Sequence, residues 1–167
     1  MQHNPMLQSY EGLNSLQKVK GDFFYISDSD RIKDITPLSN LDSINGIFQI
    51  WDMDSLQNFS GLNGLKHVGA DLSIFKNKHL ISFNGLDSLS SVNGALRIYE
   101  NDDLTNLLDL NSDLNVTGQI VIYDNPSLKE CDASVVCEKL SSFPETVIIN
   151  NNDDGCDGKE EVIEFCF

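Results

Sequence analysis

The sequence predicts an α/β chain built as a parallel β-solenoid and closed at its C-terminal end by a disulfide-bearing cap. Three observations carry that prediction. Residues of one kind recur every 24 positions: Ile50, Ile74, Ile98 and Ile122; Leu56, Leu80, Leu104 and Leu128; Gly46, Ala70, Gly94 and Gly118; Trp51, Phe75, Tyr99 and Tyr123. Each repeat holds a short run that alternates apolar and other residues, as a half-buried strand does. All four cysteines fall in the final 37 residues, where a stack of repeats needs an end cover.

In order along the chain, the repeats begin near Gly12, Pro37, Gly61, Gly85 and Asp109, and a degenerate last turn follows Cys137. The first repeat is one residue longer. Val19, Gly21, Phe23, Tyr25 and Ile26 match Ile44, Gly46, Phe48, Ile50 and Trp51 at an offset of 25, whereas Ile32 and Ile35 match Leu56 and Phe59 at 24. The extra residue is therefore expected in the loop around Asp28 to Arg31, because a slip inside a strand would turn its core residues outward. Each repeat opens on a segment such as Gly85–Val92, with apolar residues every third position. That spacing suits one helical or 3₁₀ turn too short to stand alone. A strand follows, with Phe48 and Ile50, Leu72 and Ile74, Leu96 and Ile98, or Ile120 and Ile122 facing inward. Pairs such as Leu80 and Phe83 close the far side. The Gly46 column marks a bend before the strand. Ala70 in that column points to close chain approach rather than to a left-handed backbone. After the strand, Asn77, Asn101 and Asn125 form a further column, read as a partial ladder of buried amides, with Asn151 as a candidate continuation and Met53 as a break.

These features resemble the receptor L-domain family, particularly bacterial surface-protein members. The units of the form GL-x-SL-x-x-V-x-G-x-L-x-I carry the resemblance, together with Asn125–Pro126–Ser127–Leu128 and the end that runs from Cys131 through Cys137 to Asn152–Asp153–Asp154–Gly155–Cys156 and Glu160–Glu161–Val162. The likeness spans residues 12 to 166. It implies a right-handed parallel solenoid related to leucine-rich repeats, and a recognition or adhesion role without catalytic residues. Fold transfers better than partner identity within so broad a family. The expected organisation is an N-terminal extension or cap over residues 1–11, a solenoid of about five coils over 12–130, and a terminal coil with cap over 131–167.

Cys131 occupies the column of Phe59, Phe83 and Leu107, and Cys156 lies 25 residues on, about one coil away. Adjacent coils bring equivalent Cα atoms near disulfide range, which favours Cys131–Cys156 with Cys137–Cys166 closing the tail. Sequential Cys131–Cys137 and Cys156–Cys166 is the main rival, since four cysteines allow three pairings. An even cysteine count and its placement favour an extracellular or outer-surface setting over reduced thiols in a cytoplasm. The cysteine spacing suits no compact zinc site. The N-terminal segment has no signal-peptide pattern, and no apolar run is long enough to span a membrane.

A formal charge of −15 argues against nucleic acid and against adsorption to an anionic membrane. A monomer is the expected state, and a protein or a glycan is the expected partner. If Ile50 and its equivalents face inward, Trp51, Phe75, Tyr99 and Tyr123 face outward in file, beside Gln49, Ser73, Arg97 and Val121. Those eight residues are the candidate binding face. The competing expectation is that the rings only pack at a sheet edge under loops. Acidic post-strand loops (Asp28 and Asp30; Asp52 and Asp54; Glu100, Asp102 and Asp103) raise calcium as a question, and Asn150–Glu161 loosely resembles an EF-hand loop. Asn150 replaces the leading Asp there, and flanking helices are not expected, so no metal or cofactor is assigned. His3, His67 and His79 stand apart in sequence, and no acid pair is singled out, so no catalytic residue is expected. A polysaccharide-processing parallel β-helix with an acidic groove is the alternative class. Ice binding is disfavoured by the uneven Gln49, Ser73, Arg97 and Val121 file. Asn58–Phe59–Ser60 and Asn115–Val116–Thr117 are glycosylation sequons that matter only in a eukaryotic secretory route.

Overall fold

The computed structural model describes residues 7–27 and 31–167. The chain forms two parallel sheets and a C-terminal segment of two helices bound by two disulfides. The smaller sheet takes two residues from each repeat: β1 (Lys18–Val19), β3 (Ser43–Ile44), β5 (His67–Val68), β7 (Ser91–Val92) and β9 (Asn115–Val116). The larger sheet is built from β2 (Phe23–Ser27), β4 (Ile47–Trp51), β6 (Leu72–Phe75), β8 (Leu96–Tyr99), β10 (Ile120–Tyr123) and β11 (Val147–Asn150). Neighbours in each sheet are consecutive repeats, in the orders β1-β3-β5-β7-β9 and β2-β4-β6-β8-β10-β11.

Register follows the 24-residue step. Ile26, Ile50, Ile74, Ile98 and Ile122 pair in series, and Ile122 meets Ile149 on the last strand. All but Ile149 are at most 1% exposed. Phe48, Leu72, Leu96 and Ile120 form the second inward file of the large sheet, and Ile44, Val68, Val92 and Val116 line the inner side of the small one. The Leu56 and Phe59 columns are fully buried on the far side. No repeat covers its own apolar face, so stacking is what removes that surface from water.

Three sequence expectations are corrected. The extra residue of the first repeat lies between Val19 and Phe23, not near Asp28 to Arg31. Val19 pairs with Ile44 at 25, but Phe24 pairs with Phe48 and Ile26 with Ile50 at 24. The insertion sits in the bend between the two sheets, where it leaves both strand patterns intact. Residues 28–30 themselves lie outside the described residues. Secondly, the segment before each strand is mostly a chain of tight turns, with Leu62, Leu65, Leu86 and Leu89 donating three residues back, and among the described residues only Thr36–Leu38 and Pro144–Thr146 are 3₁₀ turns. Its final valine enters the small sheet, which sequence reading did not foresee, because two residues carry no alternation to detect. Thirdly, the last turn holds full helices, α1 (Ser134–Ser142) and α2 (Lys159–Cys166).

The glycine column before the strands is a place of close approach. A Cβ on Gly46 would collide with the backbone of Asp22, and one on Gly118 with the backbone of Gly94, each one repeat earlier. At the C-terminal end, Val135, Val136, Leu140 and Val162 turn inward from the two helices. Cys131 joins Cys156 (Cα separation 5.6 Å), and Cys137 joins Cys166 (5.4 Å), tying α1 to α2 and to the last coil. Lys139 Nζ on α1 donates to the Val116 carbonyl at 2.7 Å, occupying an acceptor on the last strand of the small sheet. At the other end, Leu7 and Tyr10 pack on the core, and residues 1–6 of the expected N-terminal cap lie outside the described residues. No described helix is long and apolar enough to cross a membrane.

Candidate functional site

The large sheet turns three files of side chains outward, and backbone alternation sets their membership. The first is Phe23, Ile47, Asp71, Ala95 and Gln119. The second is Tyr25, Gln49, Ser73, Arg97, Val121 and Ile148, and the third is Ser27, Trp51, Phe75, Tyr99, Tyr123 and Asn150. All eight residues of the expected binding face therefore lie in two adjacent files. Trp51, Phe75, Tyr99 and Tyr123 are half-buried, as are Gln49, Arg97 and Val121, while Ser73 is buried.

The rings stack along the strand-to-strand direction. Centroid separations are 5.5 Å for Trp51 and Phe75, 4.7 Å for Phe75 and Tyr99, and 4.8 Å for Tyr99 and Tyr123, with interplanar angles of 6°, 9° and 3°. The spacing is set by the sheet, whose strands lie about 4.8 Å apart. Tyr25 ends the file edge-on against Trp51, at 5.5 Å and 72°. Burial, followed by the Tyr123 and Glu100 charges, holds the Tyr99 phenol above its ordinary pKa; burial, Glu100 and Asp124 do the same at Tyr123.

Only two of the residues in these three files are charged, and they neutralise each other. Arg97 donates to Asp71 Oδ2 at 2.5 Å, and the Ala95 amide donates to Asp71 Oδ1 at 2.8 Å. Burial works to raise the Asp71 carboxyl, but the Ala95 and Arg97 hydrogen bonds and the Arg97 charge outweigh it, so its pKa lies below the ordinary value. In a chain of net charge −15, this face is electrically balanced and rich in aromatic edges. Phe23, at 57% exposed, and Ile148, at 39%, extend its apolar surface at the two ends.

The residue after each member of the third file from Trp51 onward turns the chain inward. Asp52, Lys76, Glu100, Asp124 and Asn151 all have positive φ, between 49° and 56°. This column escaped sequence reading because Lys and Glu are not habitual left-handed residues. The turn places the next side chain in the interior, where the asparagines bond from coil to coil. Asn77 Nδ2 donates to the Ile50 carbonyl and to Asn101 Oδ1, Asn101 Nδ2 to the Ile74 carbonyl and Asn125 Oδ1, and Asn125 Nδ2 to the Ile98 carbonyl and Asn152 Oδ1. The ladder continues at Asn152, not at Asn151, because Asn151 is the left-handed residue of its coil. At the Met53 break, the Met53 amide itself donates to Asn77 Oδ1 at 3.2 Å.

The left-handed column and the residues two positions on line an open groove of about 550 Å³ beside the aromatic file. Asp52, Lys76, Lys78, Glu100, Asp102, Asp124, Pro126 and Asn151 form it, and Lys76 Nζ stands 3.8 Å from Glu100. The histidines are less isolated than their sequence spacing implied. His67 Nδ1 meets Ser91 Oγ at 2.9 Å, and His79 Nδ1 meets Asp103 Oδ2 at 2.8 Å, both pairs on the surface one repeat apart. His3 lies outside the described residues. Among the described residues, no group of three or more His, Cys, Asp or Glu side chains is arranged to hold a metal. In the Asn150–Glu161 loop, Asn152 belongs to the ladder, and Glu161 Oε2 accepts the amides of Gly155 and Asp157 at 3.0 Å each. Asn58 and Asn115 of the sequons lie on a bend and a strand, and Asn58 Oδ1 accepts the Ser60 amide. Comparison with known proteins returns no matching family model, no matching curated protein and no matching solved structure.

Proposed function

We propose that this chain is a non-catalytic recognition or adhesion module of a secreted or cell-surface protein, and that it binds a protein or a glycan through the outer face of its large sheet. The finer fold reading belongs to the same proposal: a right-handed parallel solenoid of receptor L-domain type, capped by its disulfides. The observation that carries it is the contrast between a chain of −15 and a face whose only charges are the Asp71–Arg97 pair. Interfaces are depleted of unpaired charge at their centre and enriched in Trp, Tyr and Arg. Trp51, Tyr99, Tyr123 and Arg97 supply that composition on one rigid surface.

The test is the variant Trp51→Ala with Tyr99→Ala, screened beside the parent chain on glycan and protein arrays. Lost binding with a melting temperature kept within a few degrees supports a recognition face. Retained binding, or a large melting loss with binding lost only through unfolding, assigns the rings to packing alone. The alternative reading, a polysaccharide-processing enzyme, draws on the acidic side chains of the groove beside the file. Release of reducing ends from a polysaccharide panel, abolished by Glu100→Gln, would favour it.

A further inference from the structure

We propose that the occupant of this face is a protein segment rich in lysine or arginine, which lays apolar side chains on the aromatic file and sets its basic side chains in the adjoining groove. The inference rests on the reading of the sheet face as a binding surface and specifies what binds there.

Two observations select that occupant. The first is ring geometry. Phe75 and Tyr99 each lie between neighbours at 4.7–5.5 Å with planes within 9° of parallel. Both faces of the inner rings are therefore covered, and solvent meets only their edges and the Tyr99 hydroxyl. A pyranose stacks on an open ring face, and the middle of this file offers none. Apolar side chains pack against ring edges without that requirement. The second observation is charge. The groove sets Asp52, Glu100, Asp102 and Asp124 against Lys76 and Lys78, a carboxylate excess alongside a face whose one acid and one base neutralise each other. From one repeat to the next, the wall is positive at Lys76 and Lys78, then negative at Glu100, Asp102 and Asp124. A complementary segment carries basic residues opposite those three carboxylates and none opposite the two lysines. A second copy of this chain, itself at −15, does not meet that requirement.

Trp51 is the one tryptophan of the chain, so its fluorescence reports on this file alone. The experiment titrates the intact chain with three probes: a twelve-residue peptide alternating lysine and leucine, its glutamate–leucine counterpart, and cellohexaose. The expected result is a saturable change in Trp51 emission with the lysine peptide only. Glu100→Gln with Asp124→Asn should weaken it about tenfold, and Lys76→Glu with Lys78→Glu should strengthen it. The remote pair Glu138→Gln with Glu145→Gln should leave it unchanged. Equal weakening by the remote pair would mean unspecific charge attraction and would overturn the inference. A response to cellohexaose without one to the lysine peptide would overturn the inference while keeping the face as a binding surface. No response to any probe, with the glycan and protein arrays also silent, would remove the face reading as well.

Discussion

Asn101 shows how one side chain serves both the fold and the surface. Its amide nitrogen donates to the Ile74 and Tyr99 carbonyls and to Asn125 Oδ1, and its oxygen accepts the Asn77 amide and side chain. It therefore fixes the left-handed turn at Glu100 and, through the Tyr99 carbonyl, the end of the strand that holds the Tyr99 ring. Asn101→Leu keeps the branched shape and removes the bonds, leaving buried groups of the neighbouring coil unpaired. A loss of about 1–3 kcal/mol in urea unfolding is expected, with weaker near-ultraviolet tyrosine dichroism. Asp71 sets a pH dependence of the same face. Its folded pKa lies below the unfolded value, so the stability it contributes is present above about pH 3.9 and is lost as pH falls through the depressed folded value. Arg97→Gln should reduce that acid-side slope, measured as melting temperature against pH between about 2 and 5. The asparagine column was legible in sequence because three residues kept the step. Its last member was not, since the C-terminal coil pairs at an offset of 27 rather than 24.

At the scale of elements, the large-sheet strands β4, β6, β8 and β10 were readable because four or five residues suffice for alternation to show, whereas β11 was not read as a strand. The small-sheet strands were not, and neither were the helices, whose apolar residues are few and whose place in the fold is settled by the disulfides and by what they cover. Only Val135, Val136 and Leu140 of α1 and Val162 of α2 are buried. The cap consequently depends on its cross-links. Cys131→Ala with Cys156→Ala should cost about 2–5 kcal/mol, seen as a lower denaturation midpoint. Fraying should appear first by hydrogen exchange in Val147–Asn150 and in α2, while β6 and β8 stay protected. Uniform loss of protection through the chain would contradict a cap that acts locally. The misplacement of the extra residue in the first repeat has a similar cause. Phe23, Phe24 and Tyr25 are all aromatic, so the pattern alone did not reveal which of them faces inward, and only Phe24 stacks on Phe48, at 5.4 Å.

For the whole molecule, repetition converts single residues into surfaces. An inward isoleucine becomes a column through the core, an outward aromatic becomes a file, and a left-handed residue becomes the wall of a groove. Two of the three outward files, from Gln49 to Val121 and from Trp51 to Tyr123, were legible in sequence. Their tight ring stacking and the balanced charge between them emerge only once the register is known. The measurement that tests this account most directly is hydroxyl-radical footprinting of the intact chain, alone and with a partner recovered from the array screen. Protection confined to Trp51, Phe75, Tyr99 and Tyr123, and to the apolar ends at Phe23 and Ile148, is the predicted result. Protection of His67 on the small sheet or of Phe165 and Phe167 on the cap, with the four rings unchanged, would contradict it.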